Sequence, residues 1–173
     1  MVGVMAWLIA SESMDRCHVT GFDAKGLDKI TEIGCVEVID FIPTGETFHA
    51  YLDPQRDIPE KVTEITGLTR EFLTGKPLFA DVAQDFLYFV KDSNLVAHNA
   101  DFDRGFINAE LERAGFDPVP KKQFVDTLRI ARSMFPGSPA SLGLSPGVDV
   151  IASSVISDVL RVFAGPSADN SDH

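Results

Sequence analysis

Four polar side chains that can do chemistry fall within one short stretch: His98, Asn99, Asp101 and Asp103. The apolar run Leu95-Val96-Ala97 precedes them, and Phe102, Phe106, Ile107 and Leu111 interleave with and follow them. The pattern predicts a short strand, a polar turn and an amphipathic helix. A carboxylate delivered at the mouth of such a junction is suited to holding a catalytic cation. Asp103 is the strongest candidate, because in the first helical turn the dipole and the free N–H groups stabilise an anion. The same positions also suit plain helix capping by Asp101 or Asp103. His98 and Asn99 fit either a substrate-positioning role or the satisfaction of backbone groups in the turn.

The elements around this junction follow from periodicity. Residues 5–12 read as a strand, and residues 30–41 as a second, rich in β-branched side chains and partly alternating. Pro43-Thr44-Gly45 is turn chemistry, and Glu46 to Leu52 reads as the returning strand of an antiparallel hairpin, ended by Asp53-Pro54. Pro59 to Leu73 reads as short helical pieces joined by Thr66-Gly67-Leu68-Thr69. Phe79, Val82, Ala83, Phe86 and Val90 recur at helical spacing and predict a helix over 79–91 with a core-facing stripe. A strand at 94–98, a helix at 101–114, a strand at 123–126 and a helix near 127–134 complete the pattern. A meander followed by strands alternating with helices predicts an α/β fold with a mixed sheet. Beyond Phe135, Pro136-Gly137-Ser138-Pro139 and Ser145-Pro146-Gly147 break regular structure. Val148 to Phe163 fits strand or helix, and 164–173 reads as a disordered tail.

With 173 residues, 45% of them hydrophobic, the chain suits one domain with a substantial core. The net charge of −11 argues against a non-specific nucleic-acid coat, which needs a basic face. It leaves room for an enzyme that meets nucleic acid through bound cations, whose site is itself acidic. Cys17 and Cys35 lack metal-ligand spacing and read as free, reduced thiols. No apolar run approaches the ~18 residues of a membrane span, so a cytoplasmic location is expected and no membrane partner.

The junction segment, in the form His-Asn-Ala-x-Phe-Asp-x-x-Phe, resembles the second motif of the DEDDh 3′–5′ exonucleases. The likeness is closest to the DnaQ-like epsilon proofreading type of bacterial DNA polymerase III. It runs from about Thr20 to Leu142 through Thr20-Gly21-Phe22-Asp23, Ile30 to Val38, Thr47 to Pro54, Ile65 to Thr69, Lys76 to Phe79, Val125 to Leu128 and Ser141-Leu142. The resemblance implies an RNase H-like fold over one exonuclease-like domain, 1–163, with 20–142 as its family-like core. It implies hydrolysis at DNA 3′ ends by two Mg²⁺ or Mn²⁺ ions, roughly 3.5–4 Å apart and held by four carboxylates, with a histidine as general base. It also implies a single-stranded DNA 3′ end and the alpha subunit of the polymerase as partners. Asp103 would be one metal ligand, and His98, Asn99, Phe102, Thr20 and Gly21 would contact substrate.

The chain departs from that pattern at both flanks. The first motif, Asp-x-Glu-Thr-Thr-Gly, should end at Thr20-Gly21. Counting back without gaps places Arg16 at the aspartate position and His18 at the glutamate position. Arginine carries a permanent positive charge that repels cations. Asp15 is one residue off, which on a strand means the opposite face. A gapped reading aligns Trp7-Leu8-Ile9-Ala10-Ser11-Glu12-Ser13 with the strand, keeps Glu12 as a ligand, puts Ala10 at the aspartate position and inserts Met14 to Val19. The third motif, His-x-x-x-x-Asp, has no histidine, because the only one after His98 is His173. Asp149 and Asp158 follow Leu144 and Ser153 at that spacing, so Asp158 is a candidate ligand without its base. Impaired hydrolysis is therefore expected. The alternatives are a catalytically silent nucleic-acid- or polymerase-binding module, or a frame-shifted product, since both flanks fail abruptly while the middle fits.

Overall fold

The computed structural model describes residues 4–8, 18–21, 23–39 and 42–134. The elements are β1 (Val4–Leu8), β2 (His18–Val19), β3 (Ile30–Ile39), β4 (Ile42–Tyr51), α1 (Glu60–Thr66), α2 (Arg70–Leu73), α3 (Phe79–Val90), β5 (Asn94–Ala97), α4 (Ala100–Arg113), a 3-10 turn (Lys121–Gln123), β6 (Phe124–Asp126) and α5 (Thr127–Met134). The stretch Val148 to Phe163 and the tail 164–173 lie outside the described residues.

β3 organises the sheet. Its Cys35 pairs with Leu8 of β1 and with Phe48 of β4, both antiparallel. Its Glu32 likewise pairs with His18 of β2 and with Tyr51 of β4. A strand has two edges, so β1 and β2 share one edge of β3 and β4 takes the other. β1 then runs parallel to β5 with Ala6 opposite Leu95, and β5 runs parallel to β6 with Ala97 opposite Asp126. The lateral order is β4-β3-β1-β5-β6, with β2 continuing the line of β1. His18 comes ten residues after Leu8, whereas their partners Glu32 and Cys35 are three apart, so seven residues of chain are surplus between β1 and β2.

α3 and α4 pack on one face of this sheet. Ile33 and Cys35 of β3 and Leu95 and Ala97 of β5 meet Phe79, Ala83, Phe86 and Val90 of α3 and Phe106, Ile107 and Leu111 of α4. The predicted stripe of α3 is buried except for Val82, which is half-buried. The ring of Phe86 stands edge-on to Phe48 at 5.7 Å and lies 6.3 Å from Phe79.

One expectation needs correction. Pro43-Thr44-Gly45 does not turn the hairpin. Ile39 already pairs with Ile42, and Pro43 lies within β4 opposite Val38. The register then shifts between Val36 and Val38, and Gly45 takes φ +93, so these residues form an irregularity inside the strand. Proline is tolerated because, among the described strands, β4 pairs only with β3 and needs no donor on its outer side. Thr44 Oγ1 donates to Glu37 Oε2 at 2.8 Å and accepts from the Glu46 N–H at 3.2 Å.

Asp53 fastens the end of β4 to the helical segment that follows. Its carboxylate accepts from the N–H groups of Gln55 (2.8 Å) and Gly75 (3.1 Å) and from Arg70 (2.8 Å). Burial raises its pKa, but those backbone donors and the guanidinium outweigh that and hold it below the ordinary carboxylate range.

Two outcomes follow. Phe86→Ala is expected to cost about 3–5 kcal/mol in chemical denaturation, whereas Tyr88→Ala, at a position 70% exposed, should cost under about 1 kcal/mol. Asp53 has a depressed folded pKa, so its stabilisation is complete above the ordinary value of about 3.9 and is lost as pH falls through the folded value. Urea unfolding between pH 7 and 3 should therefore show a shallower acid decline in Asp53→Asn than in the native chain.

Candidate active site

Burial along α4 falls on Ala100, Asp103, Phe106, Ile107, Glu110 and Leu111. That is the three- and four-residue spacing of a core-facing stripe, and Asp103 lies on it with only 1% of its surface exposed. Asp101 is on the other side, 53% exposed, where it meets Arg104 at 3.0 Å and Lys121 at 3.7 Å. The Arg104 hydrogen bond, with Lys121 nearby, lowers its pKa. Neither aspartate occupies the capping position, because the N-cap is Asn99, whose side chain makes no cap bond. The amide of Phe102 is satisfied by the Asn99 carbonyl at 2.9 Å. Asp103 keeps the benefit of the helix dipole in the first turn. Burial pushes the Cys35 thiol up, and the negative charge of Asp103 pushes it further.

β5 and β6 end side by side, so the turns that follow them adjoin. His98 is half-buried, with Nδ1 3.4 Å from Thr127 Oγ1. Phe102 is half-buried, its ring 5.0 Å from that of Phe106. Thr20 is fully buried. Its hydroxyl donates to Asp28 Oδ1 and accepts from the Lys29 N–H, both at 3.0 Å. A Cβ at Gly21 would run into the carboxylate of Asp28, which would have to shift. Arg113 binds the carbonyls of Ala24 and Gly26 at 2.8 Å, and so lays this loop along α4. Glu110, also buried, pairs with Arg113 at 3.0 Å and with Lys29 at 3.5 Å.

Glu12 and Asp158, the other two candidate ligands, lie outside the described residues, as do Arg16 and Asp149. Among the described residues no three His, Cys, Asp or Glu side chains gather where they could hold a metal ion. Pattern reasoning also passed over Glu32, which is buried and bonded to His49 Nε2 at 2.8 Å. Burial first, then the charge and hydrogen bond of Glu32, raises the Tyr51 phenol. Phe48 and Ala50 pack into the helix-covered core, so the alternation along β4 sets His49, Tyr51 and Glu32 on the opposite face from Asp103. Nothing local in Ile30-Thr31-Glu32 signals this pairing.

The profile of the Exonuclease family matches residues 17–152. The chain belongs to that family. Members depend on divalent metal ions. The DNA polymerase III subunit epsilon of Rickettsia felis is 45% identical over 128 residues, covering 72% of this chain and 56% of the relative. That of Salmonella typhimurium is 44% identical over 118 residues, covering 66% and 48%. The chain thus spans about half the length of the curated relatives it matches. The fold is shared with the zinc-bound form of the E. coli ExoI–ssDNA complex at a TM-score of 0.70 and 15% identity, over 95% of this chain and 42% of that one. The exonuclease I of Methylocaldum szegediense aligns at 0.63 and 17% identity, over 79% and 31%. The α/β architecture is RNase H-like. Among the described residues no helix is long and apolar enough to cross a membrane.

Gly21→Ala is expected to lower stability by about 1–3 kcal/mol, because Asp28 would have to give up Thr20, the Asp23 N–H and Arg56 together. Thermal and urea unfolding of the variant check this.

Proposed function

We propose that this chain is the exonuclease domain of a DNA polymerase III epsilon-type 3′–5′ exonuclease, acting on single-stranded DNA 3′ ends, with hydrolysis impaired. The observation that carries the reading is the buried Asp103 in the first turn of α4, within a chain 45% identical to an epsilon subunit. On this reading 1–163 is one domain, and Asp103, with Glu12 and Asp158, would face Mg²⁺ or Mn²⁺. Such ions activate water and stabilise the leaving oxygen when bound. His98, Asn99, Phe102, Thr20 and Gly21 would orient the strand end. The alpha subunit of the polymerase would be the protein partner, and the cytoplasm the site of action.

Impairment follows from charge. Each missing carboxylate removes an offset to the dehydration of the cation, and Arg16 or Ala10 stands where the first aspartate belongs. The same substitutions support a second reading, a silent module that binds a 3′ end or a polymerase without cutting.

The deciding experiment is shortening of a 5′-labelled single-stranded oligonucleotide with Mg²⁺ or Mn²⁺. The native chain should cut at least ~100-fold more slowly than an epsilon relative with all four carboxylates, since even outer-shell losses at metal sites cost 10–100-fold. EDTA and Asp103→Ala should abolish what remains. Digestion at the relative's rate that disappears in Asp103→Ala refutes the impairment. Complete inactivity, with no thermal stabilisation by Mn²⁺, favours the silent module.

A further inference from the structure

Asp126 ends β6 and is half-buried. Its Oδ1 accepts two backbone N–H groups. One belongs to Leu128 at 2.9 Å, an ordinary capping bond at the start of α5. The other belongs to Asn99 at 3.0 Å, 27 residues away on the neighbouring turn. Asn99 sits in the left-handed region at φ 62, ψ 48. This region is unfavourable for an L-residue, and asparagine is among the few that enter it singly. Such a conformation persists only when its surroundings impose it. Thr127 adds to the hold. Its hydroxyl donates to the Ala97 carbonyl at 3.3 Å and lies 3.4 Å from His98 Nδ1. Ala97, His98 and Asn99 are thus each engaged by the Asp126-Thr127 pair. Asp103 follows Asn99 by four residues, so the angle at which the chain leaves Asn99 sets the rotation of the first turn of α4.

We propose that Asp126 is a positioning residue for the Asp103 site. It clamps the turn after β5 to the turn after β6, fixes Asn99 in its left-handed conformation, and thereby sets where Asp103, His98 and Phe102 stand. The link to DNA rests on the exonuclease reading, whereas the clamp itself does not.

Three variants separate clamp from cap. Asp126→Asn keeps Oδ1 as an acceptor. Asp126→Ala removes both bonds. Asp126→Ser retains a capping hydroxyl for Leu128 but is too short to reach Asn99. Two quantities are read in the full chain: amide hydrogen exchange at Asn99, and affinity for a short 5′-labelled oligothymidylate with Ca²⁺ in place of a catalytic cation. Asp126→Ala and Asp126→Ser should accelerate Asn99 exchange about tenfold or more and weaken oligonucleotide binding by about tenfold, the scale of lost supporting contacts at a site. Asp126→Asn should stay within about twofold of native in both. Should the alanine variant not fold, the serine variant carries the comparison. Unchanged Asn99 exchange in the serine variant, or an asparagine variant as damaged as the others, overturns the proposal. A native chain that does not bind the oligonucleotide overturns the exonuclease reading instead, and the Asn99 exchange still decides the clamp.

Discussion

β3 is hydrogen-bonded along both edges, and the position of every other described strand is fixed through it. Its antiparallel register with β1 sets where β1 meets β5, and β5 in turn sets β6. Its buried run from Ile30 to Val36 reflects cover on both faces, the expected state of a strand inside a sheet. The negative charge of Asp103 acts on Cys35 of this strand and, after burial, raises its thiol.

The chemistry of the site is governed by charge placement. A carboxylate with its surface almost wholly removed from water is costly to ionise unless other groups stabilise it, and the helix dipole supplies part of that. Its sequence neighbour Asp101 shows the contrast, since it is solvent-facing, paired with Arg104 and Lys121, and spent on the surface. The same helix carries a second buried acid, Glu110, which is neutralised by Lys29 and Arg113 and so fastens the loop after β2. One helix therefore uses its first turn for a candidate functional acid and its last turn for a structural one.

Much of this was legible in the residues themselves. The stripe of α3, the two short helical pieces before it and the strand–turn–helix around Asp103 all follow from local periodicity and turn chemistry, which act over a few residues. The parts that were not legible depend on partners distant in sequence. Glu32 finds His49 only once β3 and β4 are in register. Asp126 looks like a plain helix cap until β5 lies beside β6. Pro43 and Gly45 carry the chemistry of a turn, yet the pairing of Ile39 with Ile42 closes the hairpin earlier and leaves them inside a strand. The cap of α4 also moved: Asn99, in a left-handed backbone, takes the position ahead of the helix, and Asp101 and Asp103 fall inside it.

The irregularity in β4 bears on how copies of this chain behave at high concentration. An outer strand with a regular row of free N–H and C=O groups is a template for another chain's backbone, and so for aggregation. Here that row is interrupted. Pro43 has no N–H to offer, Gly45 bends the strand out of its ladder, and Glu46 puts a negative charge beside the break. At the opposite rim β6 is only three residues long. With a net charge of −11 adding mutual repulsion, the described sheet offers a second copy little continuous backbone to pair with.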